Sequence, residues 1–236
     1  MHDSVAVIIP TLNEVENVAP LTDAIMQTGI ALSEIVFVDD GSTDGTREKI
    51  EALGARAPVR LLKRDGGGCG LSGAILAGAE STSAEILVVM DGDLSHPPER
   101  IAALLEPIFN NTADMVTGSR YVRGGATPGW PMWRRALSRT ASALAYPITG
   151  VHDSMCGFFA TRREVLLRLA SGASGFKIVF ETILHGGKKL RVCEVPIIFR
   201  DRVRGKSKMS IAEATLFAVN WCRAIAFRVR GSRRRL

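Results

Sequence analysis

Through the first half of the chain, short unbroken apolar runs alternate with amphipathic stretches. The run Val5-Ala6-Val7-Ile8-Ile9 reads as a strand buried on both faces and stopped by Pro10, and a helical period then spans 15–28. A second strand at 34–38 ends in the turn-rich Asp39-Asp40-Gly41-Ser42-Thr43-Asp44-Gly45. The pattern then predicts a helix over 46–53, a short strand over 59–62 and a helix over 70–80. A strand over 86–90, a helix over 98–109 and a strand over 114–117 follow. Such alternation predicts an α/β domain with a mostly parallel central sheet and helices on both faces. The second half is less regular. Residues 121–135, rich in Gly, Pro, Trp and Arg, read as a mobile surface loop, and 210–229 as a broadly apolar helix. Glu213, Asn220 and Arg223 interrupt that helix. It therefore suits an in-plane amphipathic helix on a membrane surface, or a helix packed on the main domain, rather than a bilayer span.

The strand over 86–90 runs directly into Asp91-Gly92-Asp93. Open α/β sheets bind ligands at the carboxyl ends of their strands, and two carboxylates crowded there repel unless a cation lies between them. Oxygen ligands favour Mg²⁺ or Mn²⁺, whose shell is usually shared with phosphate oxygens. The same residues also suit a capping turn, with Asp93 as the cap and Pro97-Pro98 opening the next helix. A competing signal is Gly68-Cys69-Gly70-Leu71-Ser72-Gly73, a dinucleotide-type glycine pattern followed about 20 residues later by Asp91. It sits in mid-run after only a short strand and leaves Asp93 unexplained, so NAD and FAD are set aside.

Composition narrows the picture. The 236 residues, 46% of them hydrophobic, suffice for one sizeable core. Cys69, Cys156, Cys193 and Cys222 are scattered, which points to neither a disulfide framework nor a zinc site, and to a cytoplasmic setting. The first residues lack the basic region of a signal peptide, and no stretch reaches the ~20 apolar residues of a membrane helix. The net charge of +6 is uneven: residues 187–236 hold fourteen Lys and Arg against Glu194, Asp201 and Glu213, while the remainder is net negative. Such a segment suits phosphate ligands, an anionic membrane surface or a solvated tail. No aromatic stacking pattern accompanies it, so nucleic acid is not an expected partner.

Three strand-end segments, Pro10-Thr11-Leu12-Asn13-Glu14, the turn at 38–45 and Asp91-Gly92-Asp93-Leu94-Ser95-His96, together resemble the inverting nucleotide-sugar glycosyltransferases of GT-A fold. Downstream, Gly118-Ser119-Arg120-Tyr121, Gly129-Trp130 with Arg134, and Asp153-Ser154-Met155-Cys156-Gly157-Phe158-Phe159 extend the likeness. It continues through Gly175-Phe176-Lys177 with Glu181, Glu194-Val195-Pro196, and Arg202-Val203-Arg204-Gly205-Lys206-Ser207-Lys208. As an ordered set covering about residues 4–210, these resemble the dolichol-phosphate (polyprenol-phosphate) mannose synthases. The resemblance implies a single Rossmann-like GT-A domain over 1–208 and an amphipathic, basic helix and tail over 209–236.

On these positions the resemblance implies that Pro10, Leu12, Glu14, Val38 and Asp40 meet the nucleoside of GDP-mannose. Asp91 and Asp93, with Gly92 between them, would meet Mg²⁺ or Mn²⁺ and the donor diphosphate, Ser95 standing where some members carry a glutamine ligand. Arg120, Arg202, Lys208 and Lys177 would face the diphosphate, and Arg120 and Arg134 the phosphate of a polyprenyl or dolichyl acceptor. Asp93 and Arg120 are then the catalytic pair. Leu12 stands where the family often has tyrosine. A phosphate monoester acceptor is already ionised near neutral pH, so no strong base is required; His2, His96, His152 and His185 are expected to be structural or exposed. A saccharide acceptor would instead need a base, with Glu181 the best candidate. Transfer of glucose or an aminosugar to undecaprenyl phosphate, and a non-catalytic nucleotide-sugar-binding scaffold at a membrane, are the alternatives. The expected setting is the cytoplasmic membrane face, with a separate membrane anchor subunit as a further possible partner.

Overall fold

The computed structural model describes residues 3–64, 70–170 and 177–201. Its first half follows the hydrophobic periodicity: β1 (Val5–Thr11), α1 (Val18–Met26), β2 (Glu34–Asp39), α2 (Thr46–Leu53), β3 (Val59–Lys63), α3 (Gly70–Glu80) and β4 (Ile86–Val89). A 3-10 turn at Pro98–Arg100 then leads into α4 (Ile101–Phe109), followed by β5 (Met115–Ser119). The second half adds α5 (Met132–Thr149), β6 (Phe159–Arg162), α6 (Arg163–Ala170), α7 (Ile178–Gly186) and β7 (Val192–Pro196).

All seven strands form one sheet in the order β3-β2-β1-β4-β6-β5-β7. Neighbours are parallel except around β6, which is antiparallel to both β4 and β5. The two-residue period of a strand sends alternate side chains to opposite faces. Val5, Val7 and Ile9 of β1 therefore pack with Leu21 and Ile25 of α1, Ile50 of α2 and Ile101, Leu104 and Ile108 of α4. Ala6 and Ile8 enter the other layer, with Ala74, Ile75 and Ala79 of α3, Leu166 of α6 and Ile178 and Ile183 of α7. Each fully buried Val, Leu or Ile contributes roughly 1.5–3 kcal/mol of transfer free energy, so two-sided burial of β1, β2 and β4 is the main cohesive term.

Three expectations are revised. Pro10 does not stop β1: Pro10 and Thr11 pair with Val38 and Asp39 of β2. The β1–β4 pairing ends at Ile8 and Val89, and the Ile8 carbonyl accepts the Met90 N–H. Pro10, two residues further on, looks to that same side beyond the end of β4, where its missing N–H breaks no ladder bond. Second, residues 121–135 are not a loose loop. Thr127 and Trp130 are buried, Ala126 bridges to Ile198, and α5 begins at Met132. Third, the irregular second half is ordered into two strands and three helices among the described residues. The helix expected over 210–229, and the boundary at 208/209, lie outside the described residues.

The reversed strand sets where loops meet. β1, β2, β4, β5 and β7 point the same way, so their carboxyl ends share one edge. Because β6 is antiparallel, with Phe159 opposite Val89 and Thr117, it is the amino end of β6 that reaches that edge. Residues 10–14, 39–45, 91–96, 120–130, 150–158 and 197–201 are thereby gathered on one side of the sheet.

Close approach of α3 to the sheet depends on Gly78, where a Cβ would lie 2.5 Å from Ile8 Cγ2 and 3.0 Å from Val38 Cγ2. Overpacking of this kind destabilises by about 1–3 kcal/mol. Gly78→Ala is expected to lower the unfolding free energy by that amount, read from the midpoint of urea denaturation; an unchanged midpoint would show that α3 can shift freely.

Candidate active site

The loops after β1 and β2 are zipped together by backbone-to-side-chain bonds. Asn13, in the left-handed region at φ 57°, accepts the Thr43 N–H on Oδ1 at 2.9 Å and donates its own N–H to Ser42 Oγ at 2.8 Å. Glu14 N–H reaches Thr46 Oγ1 at 2.9 Å, and Val15 N–H reaches Asp44 Oδ2 at 3.2 Å. The two aspartates after β2 divide the work. Asp39 is fully buried and accepts the N–H groups of Gly41 and Ser42 and the Nε–H of Arg47. Burial alone would push its carboxyl up; the hydrogen bonds from Ser42, Arg47 and Gly41 outweigh that and hold it below the ordinary value. Asp40 is partly exposed and lies 3.3 Å from Arg64 Nη1, with its amide on the Thr11 carbonyl. Glu14 accepts from Asn17 Nδ2 at 2.5 Å, and Leu12 is exposed at the rim. The Val38 side chain is buried against α3, which leaves its backbone to face a ligand.

The carboxylate loop continues β4. A Cβ on Gly92 would sit 3.5 Å from the Pro10 carbonyl and 3.7 Å from Glu14 Cγ, so this loop lies directly against the end of β1. Asp93 is buried, its Oδ1 accepting the Ser95 N–H at 3.0 Å in an Asx-type turn. It does not cap the following helix, whose N-cap, Pro97, has no side-chain cap. Leu94 between them has φ 63°, a conformation that costs about 1–3 kcal/mol outside glycine and clusters at functional sites. The Asp91 side chain is about one-third exposed. Gly157 leaves room beside it: a Cβ there would come within 3.3 Å of Asp91 Oδ1.

Among the described residues no group of three His, Cys, Asp or Glu is arranged to hold a metal. Two carboxylates and the hydroxyl of Ser95 are what this loop offers. Ser95 Oγ is buried without a hydrogen-bond partner among the described residues, and an orphaned oxygen in the same loop as two carboxylates suits a hard, oxygen-seeking cation. His96, five residues after Asp91, does not take part as a ligand. Its Nδ1 accepts the Asp91 N–H at 3.0 Å, and burial holds it below its ordinary pKa despite the nearby Asp91 and Asp93 charges. The ring is therefore neutral, and its 3.9 Å approach to Asp91 Oδ2 is not an ion pair.

Arg120 follows β5 and is buried. Its backbone N–H and Nε–H donate to Asp153 Oδ2 at 2.9 and 2.7 Å, and Nη2–H to Oδ1 at 2.8 Å. Desolvation would lower the guanidinium pKa, but the Asp153 hydrogen bonds and charge raise it above its already high ordinary value. Glu194 in turn positions Asp153, accepting the amides of His152 at 2.8 Å and Asp153 at 3.0 Å. The rings of Tyr121, Trp130 and Phe199 surround the Arg120 guanidinium at 5.3–5.6 Å. Arg134 lies 4.0 Å over the same Trp130 ring and donates to Asp201 Oδ1 at 2.9 Å. The Trp130 Nε1 is buried with no hydrogen-bond partner among the described residues. Residues 197–201 stitch both halves together, with Arg200 N–H on the Ser95 carbonyl and Phe199 N–H on the Ala126 carbonyl.

The structure thus brings Pro10, Glu14, Asp40, Asp91, Gly92, Asp93 and Ser95 to one strand edge, and joins Arg120 to Arg134 through Trp130. Lys177 occupies the N-cap position of α7, and Glu181 is buried in that helix. Arg202 and Lys208 lie outside the described residues. Sequence reasoning assigned no role to Asp153, Glu194, Gly157 or Phe199. Asp153 and Glu194 were visible only as acids within recognised segments, since their partners lie 33 and 41 residues away.

Comparison with known proteins gives a consistent picture. The sequence profile of Glycosyl transferase family 2 matches residues 6–169. The Dolichol-phosphate mannosyltransferase of Pyrococcus furiosus is 44% identical over 210 residues, covering 87% of this chain and 59% of its own, so this chain spans less than two thirds of that relative. The Saccharomyces cerevisiae protein of the same name is 36% identical, over 87% and 80% of the two chains. The Undecaprenyl-phosphate mannosyltransferase of Micrococcus luteus is 36% identical over 98% of both. Among solved structures, glucosyl-3-phosphoglycerate synthase from Mycobacterium tuberculosis, in complex with Mn²⁺, UDP and glucosyl-3-phosphoglycerate, superposes with a TM-score of 0.70. It covers 96% of this chain and 80% of that one at 21% identity, a likeness of fold.

Removing one partner of a buried ion pair strands the other charge, at about 3–5 kcal/mol. Asp153→Ala is expected to lose that much unfolding free energy, measured by urea denaturation. A loss below about 1 kcal/mol, the range of exposed pairs, would mean that water reaches Arg120.

Proposed function

The chain belongs to glycosyl transferase family 2, and from that membership we propose that it transfers mannose from GDP-mannose to a polyprenyl or dolichyl phosphate with inversion at the anomeric carbon. The observation that carries this reading is that the Asp91–Ser95 loop is joined, through His96, Phe199 and the Arg200 N–H on the Ser95 carbonyl, to the Trp130 ring that Arg120 and Arg134 share. A donor diphosphate and an acceptor phosphate are both anions, and the site offers a hard-cation locus on one side and guanidinium groups on the other. The names of the Pyrococcus, Saccharomyces and Micrococcus relatives support mannose as the sugar and a polyprenyl phosphate as the acceptor.

In this mechanism Glu14 and Asp40 accept hydrogen bonds from the nucleoside, with Pro10, Leu12 and the Val38 backbone lining it. Asp91, Asp93 and Ser95 would hold Mg²⁺ or Mn²⁺, which would neutralise diphosphate charge. An acceptor phosphate oxygen forms the new bond to the anomeric carbon as the bond to the donor diphosphate breaks, and the electron pair leaves with the nucleoside diphosphate. The acceptor is ionised beforehand, so no side chain need take a proton, consistent with a buried His96 whose Nδ1 lone pair already accepts the Asp91 N–H and with a buried Glu181. Arg134 binds the acceptor phosphate by exchanging Asp201 for it. Arg120, held by Asp153, supplies fixed positive charge where negative charge grows. Arg202, Lys208 and Lys177 would add to the anion field.

The test is incubation with radiolabelled GDP-mannose, Mg²⁺ or Mn²⁺ and polyprenyl phosphate, followed by lipid extraction. Lipid-soluble mannose is expected, and Asp93→Ala should lower its rate by about 10²–10³-fold. Transfer only from another nucleotide sugar would overturn the donor assignment.

The acceptor also implies a membrane surface. Among the described residues no helix is long and apolar enough to cross one. Instead α5 exposes Met132 (84%), Trp133 (65%), Leu137 and Leu144, beside the exposed Arg135 and Arg139 and adjoining Arg134. Apolar side chains flanked by arginines suit in-plane contact with anionic lipid, on the cytoplasmic face in this reading. Trp133→Glu with Leu137→Glu should reduce sedimentation of the isolated chain with anionic liposomes. No sedimentation by the unaltered chain would instead favour a separate anchor subunit.

A further inference from the structure

The Asp91–Ser95 loop is held at its base by a side chain that no role in the proposed chemistry requires. His96 is 1% exposed. Its ring stacks on Phe158 at 5.2 Å and meets Phe199 edge-on at 5.2 Å. Packing alone would account for an aromatic residue there, but not for an imidazole. The difference is at Nδ1, which accepts the Asp91 N–H at 3.0 Å. An amide can only donate, so Nδ1 carries its lone pair and the ring proton sits on Nε2, which faces Cys156 Sγ at 4.0 Å. Gly157 leaves space for this arrangement: a Cβ there would press on Asp91 Oδ1, at 3.3 Å, and lie in contact with His96 Cε1, at 3.5 Å.

We infer that His96 is a positioning residue: through Nδ1 it fixes the Asp91 backbone, and so sets the aim of the Asp91 and Asp93 carboxylates toward a divalent cation. The inference rests on the reading of those carboxylates as cation ligands. The loop needs such a tether. Leu94 is in the left-handed region, and the Asx turn of Asp93 to Ser95 restrains only the far end of the strained segment. Without Nδ1, the Asp91 N–H has no acceptor, and the loop relaxes by rotating the peptide that carries the first carboxylate. Partners that orient metal ligands in this way typically matter 10- to 100-fold for metal affinity. Through Phe199, which also packs edge-on against Trp130, the same ring abuts the wall that carries Arg120 and Arg134.

Two variants separate positioning from packing. His96→Phe keeps the aromatic stack and removes the acceptor; His96→Asn fills the space poorly but places an amide oxygen near the Nδ1 position. Mn²⁺ binding is read by electron paramagnetic resonance of the free ion, with and without GDP, and stability by thermal denaturation. His96→Phe is expected to be the more stable variant, yet to bind Mn²⁺ about 10- to 100-fold more weakly than the unaltered chain, while His96→Asn binds within about threefold of it. Mn²⁺ affinity that follows stability, with Phe better than Asn, would overturn the inference while leaving the cation site intact. Failure of the unaltered chain to bind Mn²⁺ under either condition would overturn the cation reading itself. If His96→Phe does not fold, imidazole ¹⁵N resonances of the unaltered chain decide: protonation at Nε2 is expected, and protonation at Nδ1 would overturn the tether.

Discussion

The antiparallel insertion of β6 between β4 and β5 is the constraint on which the remaining architecture depends. The parallel run β3-β2-β1-β4 by itself places the loops after β1 and β2 on the same edge as Asp91 and Asp93. A parallel β6, however, would carry residues 150–158 to the opposite edge, about 13 Å away for a strand of four residues. Asp153 would then be out of reach of Arg120, and Gly157 out of reach of Asp91. Reversal of one short strand makes both contacts possible. It also frees β5 and β7 to point their carboxyl ends the same way, so that residues 197–201 close over the same edge.

On that edge, polar groups are arranged so that few are free to reorganise. Asp39 uses its carboxylate to shape the loop, which leaves Asp40 as the partly exposed acid of the pair. Arg120 is held by three hydrogen bonds to Asp153, itself held by Glu194. A buried ion pair of this kind adds little net stability over an apolar replacement, because desolvation of two charges offsets their attraction. Its value lies in fixing a charge in advance of the reaction, where developing negative charge would otherwise have to wait for solvent to reorient. The left-handed backbone at Leu94 and the neutral His96 beneath it follow the same logic, with local strain tolerated because surrounding bonds over-determine the loop.

Much of the first half was legible because its elements bury apolar residues at the period of their own backbone. The residue spans of α2 and α3 were readable for that reason, and β1, β2 and β4 were visible as runs buried on both faces. The region from 121 to 196 was obscure for equally physical causes. β6 is four residues long and reversed. α5 turns apolar side chains outward, inverting the pattern by which a helix is recognised. Trp130, surrounded by glycine, proline and arginine, resembled loop composition, yet it is buried and its ring meets two guanidinium groups. At the site, the Asp91 and Asp93 pair was readable from its position after an apolar run. The structural role of Asp39 and the hydrogen bond from the Asp91 N–H to His96 were not.

The amino-acid sequence by itself determined which segments become strands and helices in the first 119 residues, and which strand ends carry carboxylates. Those properties depend on neighbours within one or two turns of chain, and local periodicity reports them directly. Tertiary structure alone decided which carboxylate pairs with which arginine, which oxygen is left without a partner, and on which side of the sheet residues 150–158 emerge. Around Arg120 and Arg134 those outcomes join distant positions, as in Asp153 with Arg120, 33 residues apart, and Asp201 with Arg134, 67 apart. They follow from the direction of β6 and the register of its neighbours, which no local pattern encodes.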